Sequence, residues 1–220
     1  MFLHEFTHIL GFNFTILFKK NMLTLNTSKR IDGKSMSKYY VKSEKVLSIA
    51  KKYFNCSGIT GVELDNQTNS EGLTNYHWEG RLLLGDYMTS EVYYPEQAIS
   101  EITLALLEDL TWYKVKYYYT GGLMRFGKNK GCSFITNDCF KPLSRTQLKS
   151  SFPNEFCSDT YSSVCSSGRQ SRGVCYILNN KIDSNEKIYN RQGYFSTYGK
   201  ENVEFCPVVL ETLKTETRYY

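Results

Sequence analysis

His4-Glu5-Phe6-Thr7-His8 stands near the start of the chain and runs into Ile9-Leu10-Gly11. At 3.6 residues per turn, His4 and His8 lie one above the other on a single helix face. Both imidazoles can then reach one Zn2+ at about 2.0–2.1 Å. Glu5 is one residue along, so it projects beside such an ion rather than binding it, where a general base for an attacking water should stand. Phe2, Leu3, Phe6, Ile9 and Leu10 support a helix over residues 2–10, and Gly11 ends it. A glycine three residues past the second histidine lets the chain turn sharply beneath a metal. The blander reading, ordinary helix histidines beside a surface glutamate, is weakened by the histidine count. The chain holds three, and the remaining one, His77, is free to be a third ligand. Met88 follows in a turn-like Gly85-Asp86-Tyr87-Met88-Thr89. It reads either as a methionine turn flooring the site or as an ordinary core methionine, which are physically almost the same statement.

Outward from this stretch, residues 13–36 are mixed and polar and read as loop. Residues 37–54 have helical spacing at Tyr40, Val41, Val46, Leu47, Ala50 and Phe54. Glycines and a Ser/Thr/Asn-rich stretch mark loop up to about residue 75. Residues 98–110 form the clearest helix, with Ile99, Ile102, Leu106 and Leu110 on one face and Ser100 and Thr103 at its start. Gly121-Gly122 is a break. After Cys132 the composition shifts to cysteine, serine and turn residues, which places a module boundary near residue 130 and divides the chain into 1–130 and 131–220. Trp78 and Trp112 read as packing residues rather than substrate contacts.

The composition excludes several classes. With 220 residues, 41% hydrophobic and 22% charged, the chain can build one sizeable core. Eighteen tyrosines and thirteen phenylalanines argue against disorder. The net charge of +5 is scattered rather than blocked, so nucleic acid is not an expected partner. No stretch supplies the roughly 20 apolar residues of a membrane helix. Met1–Phe18 lacks the basic start and cleavage site of a signal peptide, so membrane association would need segments outside these residues. Seven cysteines, with no C-x-x-C pair, suggest disulfides and an oxidising compartment. Sequons at Asn13, Asn26, Asn55 and Asn66 agree weakly. The expected location is extracellular or at the cell surface.

Taken together, H-E-F-T-H-I-L-G-F at 4–12, A-K-K-Y-F-N-C-S-G-I-T-G-V-E-L-D-N-Q at 50–67, N-Y-H-W-E-G-R-L-L-L-G-D-Y-M-T at 75–89 and S-E-I-T-L-A-L-L-E-D-L-T-W-Y-K-V at 100–115 closely resemble the leishmanolysin family of metzincin zinc endopeptidases. G-K-N-K-G-C at 127–132 and F-C-S-D at 156–159 also fit. In most metzincins the third histidine follows the glycine within a short turn; in this family a long insertion intervenes, here residues 12–76.

The resemblance implies that His4, His8 and His77 bind one Zn2+, that Glu5 is the catalytic base and that Met88 is the Met-turn residue. It implies an α+β fold: the C-terminal part of a metzincin catalytic domain, mainly helical with the zinc helix first, followed by an irregular disulfide-rich module. It would pair Cys56 with Cys132, Cys139 with Cys206 and Cys157 with Cys175, leaving Cys165 with a partner past Tyr220; the spacings alone leave the connectivity open. Substrates would be proteins or peptides. The family also carries a signal peptide, a pro-segment and a sheet-bearing half ahead of the zinc helix, so this chain is expected to be part of a larger enzyme. Two rival expectations are a non-catalytic surface or adhesion module and an inactive fragment. Glu5 beside an intact histidine set argues against the first.

Overall fold

A computed structural model of the chain describes residues 2–29, 35–65, 76–90, 97–120, 124–137, 139–142, 148–157, 162–166, 169, 171–175 and 206–211. The first helix, α1, spans Phe2–Leu10. It ends where Gly11 adopts φ 126°, a conformation that a side chain would strain. A Cβ at this position would also meet Leu110 Cδ1 at 2.5 Å, so glycine both turns the chain and lets it approach the end of the distant helix Glu101–Asp109. Only His4 and Thr7 of α1 are buried, whereas Phe2, Leu3, Phe6 and Ile9 are 84%, 48%, 43% and 77% exposed.

Residues 13–36 are not simply loop. Asn13 caps a short helix, α2 (Phe14–Lys19), its side chain accepting from the backbone N–H groups of Thr15 and Ile16 at 3.0 and 3.4 Å. Strands β1 (Leu23–Lys29) and β2 (Ser35–Val41) then pair antiparallel, from Leu23 opposite Val41 to Lys29 opposite Ser35. A short β3 (Val62–Glu63) adds to β2. The helix expected from residue 37 therefore begins seven residues later, as α3 (Glu44–Phe54). The aromatic and β-branched run Tyr39-Tyr40-Val41 prefers the pleated ladder. The start of α3 is fixed from far away: the Asp109 carboxylate accepts from the Lys45 and Val46 N–H groups at 3.0–3.2 Å.

Beyond the short helix α4 (Gly80–Leu83), α5 (Glu101–Asp109) starts at Ser100, whose hydroxyl accepts from Thr103 N–H. It packs against α3, burying Ile102, Ala105, Leu106 and Leu107. At its end Lys20 Nζ donates to the Leu110 carbonyl at 2.9 Å. A single-turn 3-10 helix follows at Tyr117–Thr120. The expected break at Gly121-Gly122 lies outside the described residues.

Helix α6 (Cys132–Thr136) is tied to the end of α3 by the Cys56–Cys132 disulfide, with Cα atoms 4.9 Å apart. Beneath it Phe134 packs on Phe54, Phe126, Phe152 and Phe156 at centroid distances of 5.1–6.1 Å. The last carbonyls of α6 accept from the buried Arg81 guanidinium, Phe134 O at 3.1 Å and Ile135 O at 2.8 Å. The remaining elements are a pair, β4 (Phe140–Pro142) and β5 (Leu148–Ser150), and a sheet of β6 (Ser162–Cys165), β7 (Arg172–Cys175) and β8 (Val209–Glu211). Cys139–Cys206 ties β4 to the segment before β8. Cys157 is also disulfide-bonded, while the side chain of its expected partner, Cys175, lies outside the described residues. Cys165 is exposed and free. This mixture of helices, small antiparallel sheets and disulfides fits the expected α+β class. Among the described residues no helix is long and apolar enough to cross a membrane.

Candidate metal centre

Helix α1 turns its polar edge inward. His4 is 8% exposed and His8 is half-buried one turn later. His77 arrives on the strand-like segment 76–79, which is held by antiparallel pairing of Trp78 with Leu64 beyond β3. The three rings gather at centroid distances of 4.8, 5.1 and 5.1 Å. One ring nitrogen from each lies within 4.8 Å of the others.

Each ring is held by its Nδ1. His4 Nδ1 donates to the Tyr87 carbonyl at 2.6 Å and His8 Nδ1 to the Phe12 carbonyl at 2.8 Å. His77 Nδ1 lies 3.2 Å from Asp65 Oδ2. A carbonyl only accepts, so Nδ1 of His4 and His8 must carry the hydrogen. The Nε2 atoms of these two rings face each other at 3.2 Å. Burial lowers both pKa values from the ordinary histidine range, with the His77 charge adding to the effect. In the neutral rings two lone pairs then point at one another. That arrangement is unfavourable unless a cation sits between them, so the donors present fit a metal ion that accepts imidazole.

Glu5 is exposed on the same helix, close enough for its charge to favour protonation of both His4 and His8. Met88 is fully buried; its N–H donates to Asp86 Oδ1 at 2.7 Å and its carbonyl accepts from Trp78 N–H at 3.0 Å. Its neighbour Tyr87 supplies the carbonyl that holds His4, and the Tyr87 hydroxyl meets Thr7 Oγ1 at 2.9 Å. Trp78 is fully buried and donates from Nε1 to Thr103 Oγ1. Trp112 is 52% exposed, with Lys20 Nζ 5.0 Å from its ring centre. Of the sequon residues, Asn13 is engaged as a helix cap, Asn26 and Asn55 are exposed, and Asn66 lies outside the described residues. Tyr87, Phe12 and Asp65 escape the sequence reading. Two of them act through backbone carbonyls, which carry no residue signature.

Asp86 joins this turn to α5. It is fully buried, and its Oδ2 accepts from Thr103 Oγ1 at 2.8 Å and Ser100 N–H at 3.3 Å. Burial outweighs these donors and pushes its pKa up to about 6. A folded pKa above the unfolded one means that the folded state holds the extra proton. The contribution of Asp86 to stability is therefore full below about pH 4 and is lost as pH rises through 6, by on the order of 3 kcal/mol. Asp86→Asn is expected to flatten that part of the profile. Equal slopes for the two proteins in denaturant unfolding between pH 4 and 7 would contradict the assignment.

The described residues thus combine helices and small sheets, disulfides and a histidine cluster able to hold a metal ion. The family model described as leishmanolysin matches residues 1–215, and the chain belongs to the leishmanolysin family. It is similar to a leishmanolysin-like peptidase of Drosophila pseudoobscura pseudoobscura, 28% identical over 180 residues that cover 76% of this chain and 26% of that protein. A leishmanolysin homolog of Crithidia fasciculata is 25% identical over 95% of this chain and 30% of its own length. Leishmanolysin of Leishmania major is 25% identical over 79% and 27%. The chain thus spans about a quarter to a third of the length of these relatives.

Proposed function

We propose that the chain carries the metal-binding part of a zinc endopeptidase of metzincin type, in which His4, His8 and His77 hold one Zn2+, Glu5 is the general base and Met88 belongs to the turn beneath the site. The observation that carries this reading is the convergence of three imidazoles, each held at Nδ1 and each with Nε2 left for a metal. When bound, the ion supplies Lewis acidity toward the scissile carbonyl and the attacking water. The residues of the chain do the rest. The carbonyls of Tyr87 and Phe12 keep His4 and His8 in the tautomer that presents Nε2 inward. A Glu5 carboxylate oxygen takes the proton of the attacking water and returns it to the departing amide nitrogen, so that the products are a carboxylate and an amine. Metal analysis tests the reading: the metal-free chain should take up one zinc, and His77→Ala should lower the affinity by two orders of magnitude or more. Equal uptake by both proteins would refute the ligand set.

A second reading, that residues 1–220 by themselves turn over little substrate, is favoured by the exposure of Phe2, Leu3, Phe6 and Ile9 on the helix that carries two of the ligands. An uncovered apolar stripe promotes association, and precise positioning accounts for much of catalysis. Turnover of an unfolded protein by residues 1–220, with and without chelator, separates the two. Brisk chelator-sensitive cleavage would show that no further cover is required.

A further inference from the structure

The three imidazoles are not held alike. His4 and His8 are tied to neutral backbone carbonyls, but His77 is tied to a carboxylate. Asp65 engages His77 twice: Oδ2 lies 3.2 Å from the ring Nδ1 and Oδ1 accepts from the backbone N–H at 3.3 Å. The backbones close the arrangement, with Asp65 N–H donating to the His77 carbonyl at 2.9 Å and Glu79 N–H to the Glu63 carbonyl at 3.1 Å. Residues 63–65 thus lie antiparallel to 77–79, and Leu64 N–H continues the ladder to the Tyr39 carbonyl of β2. The Asp65 side chain is 5% exposed, and that of His77 15%. A carboxylate this far from water, fastened to both the ring and the main chain of one histidine, fixes where the ring sits and which nitrogen carries its hydrogen.

We propose that Asp65 is the positioning residue of the third ligand, and that the inserted sheet β1-β2-β3 is the scaffold that delivers it. The proposal rests on the zinc reading above. The carboxylate holds Nδ1–H, leaves the Nε2 lone pair for the ion, and places a negative charge one imidazole away from a divalent cation, which strengthens the ligand. Residues 62–65, within the stretch between the glycine and the third histidine, then serve the metal centre.

The test uses the full chain, whose three histidines give three ring systems in nitrogen-15 spectra. In the metal-free protein all three rings should be Nδ1–H tautomers. In Asp65→Asn only the His77 ring should change, with His4 and His8 as internal controls. Zinc affinity, read by competition with a chelator, should fall by about 10–100-fold. Asp65→Glu, which restores the charge, should recover most of that loss and serves as the second variant should the amide destabilise the fold. An unchanged His77 ring together with zinc affinity within threefold of wild type would overturn the proposal. Failure of the wild-type chain to bind zinc would instead refute the metal reading, and the metal-free ring spectra would still decide the role of Asp65.

Discussion

Glu5→Gln is expected to abolish peptide hydrolysis while leaving zinc in place. The amide keeps the size and solvent-facing position of the side chain but cannot accept a proton at neutral pH. A positioned general base contributes roughly 10²–10⁴-fold, so kcat should fall by at least the lower figure. The ligands belong to other residues, so metal content should not change. His4→Ala should behave differently, because it removes a ring buried against the Tyr87 carbonyl and metal and activity should disappear together. Turnover and metal content are measured on the same preparation. Near-normal turnover in Glu5→Gln would remove the general-base role; loss of zinc in that variant would make Glu5 a ligand.

Replacing Cys56 and Cys132 together by serine is expected to produce the largest loss of stability. The bridge closes a loop with a sequence separation of 76 and joins the end of α3 to the start of α6. Constraint of the unfolded chain by a loop of this length stabilises by roughly 2–5 kcal/mol. For a chain of this size each kcal/mol shifts Tm by about 2–4 °C. The phenylalanine cluster around Phe134 lies next to the bridge, so loosening should reach that cluster first and expose its aromatic amides to hydrogen exchange. Thermal unfolding under non-reducing conditions provides the measurement. A Tm within about two degrees of wild type would mean that packing alone holds α6.

What was legible in the sequence was periodic or chemically distinctive. Helices α1 and α5 announce themselves by spacing and by their stops, and the histidine set by its rarity. Strands β1 and β2 do not, because β1 is an edge: Leu25, Asn26 and Thr27 are exposed, so burial imposes little alternation and the ladder of backbone hydrogen bonds carries the pairing. The beginning of α3 was obscured because its capping carboxylate, Asp109, comes from another helix. Apolar residues marked α1 as a helix but did not say which side is buried: His4 and Thr7 face inward, and Phe2 and Ile9 face out. The partners of the rings were hidden for a simpler reason: any residue offers a carbonyl, and only the folded chain determines which one arrives.

The antiparallel seam between residues 63–65 and 77–79 has a consequence for how such chains can change over time. It joins the two described stretches that flank residues 66–75 in sequence. Lengthening or shortening a closed segment alters mainly its closure entropy, about 0.6 kcal/mol for each doubling, and leaves the seam where it was. Insertions and deletions there are nearly silent for His77. The interval along the chain from Asp65 to His77 is therefore free to change, while the pairing of the two residues across the seam is not. Kinship in this fold is written in facing pairs of residues, and a ruler laid along the chain does not measure it.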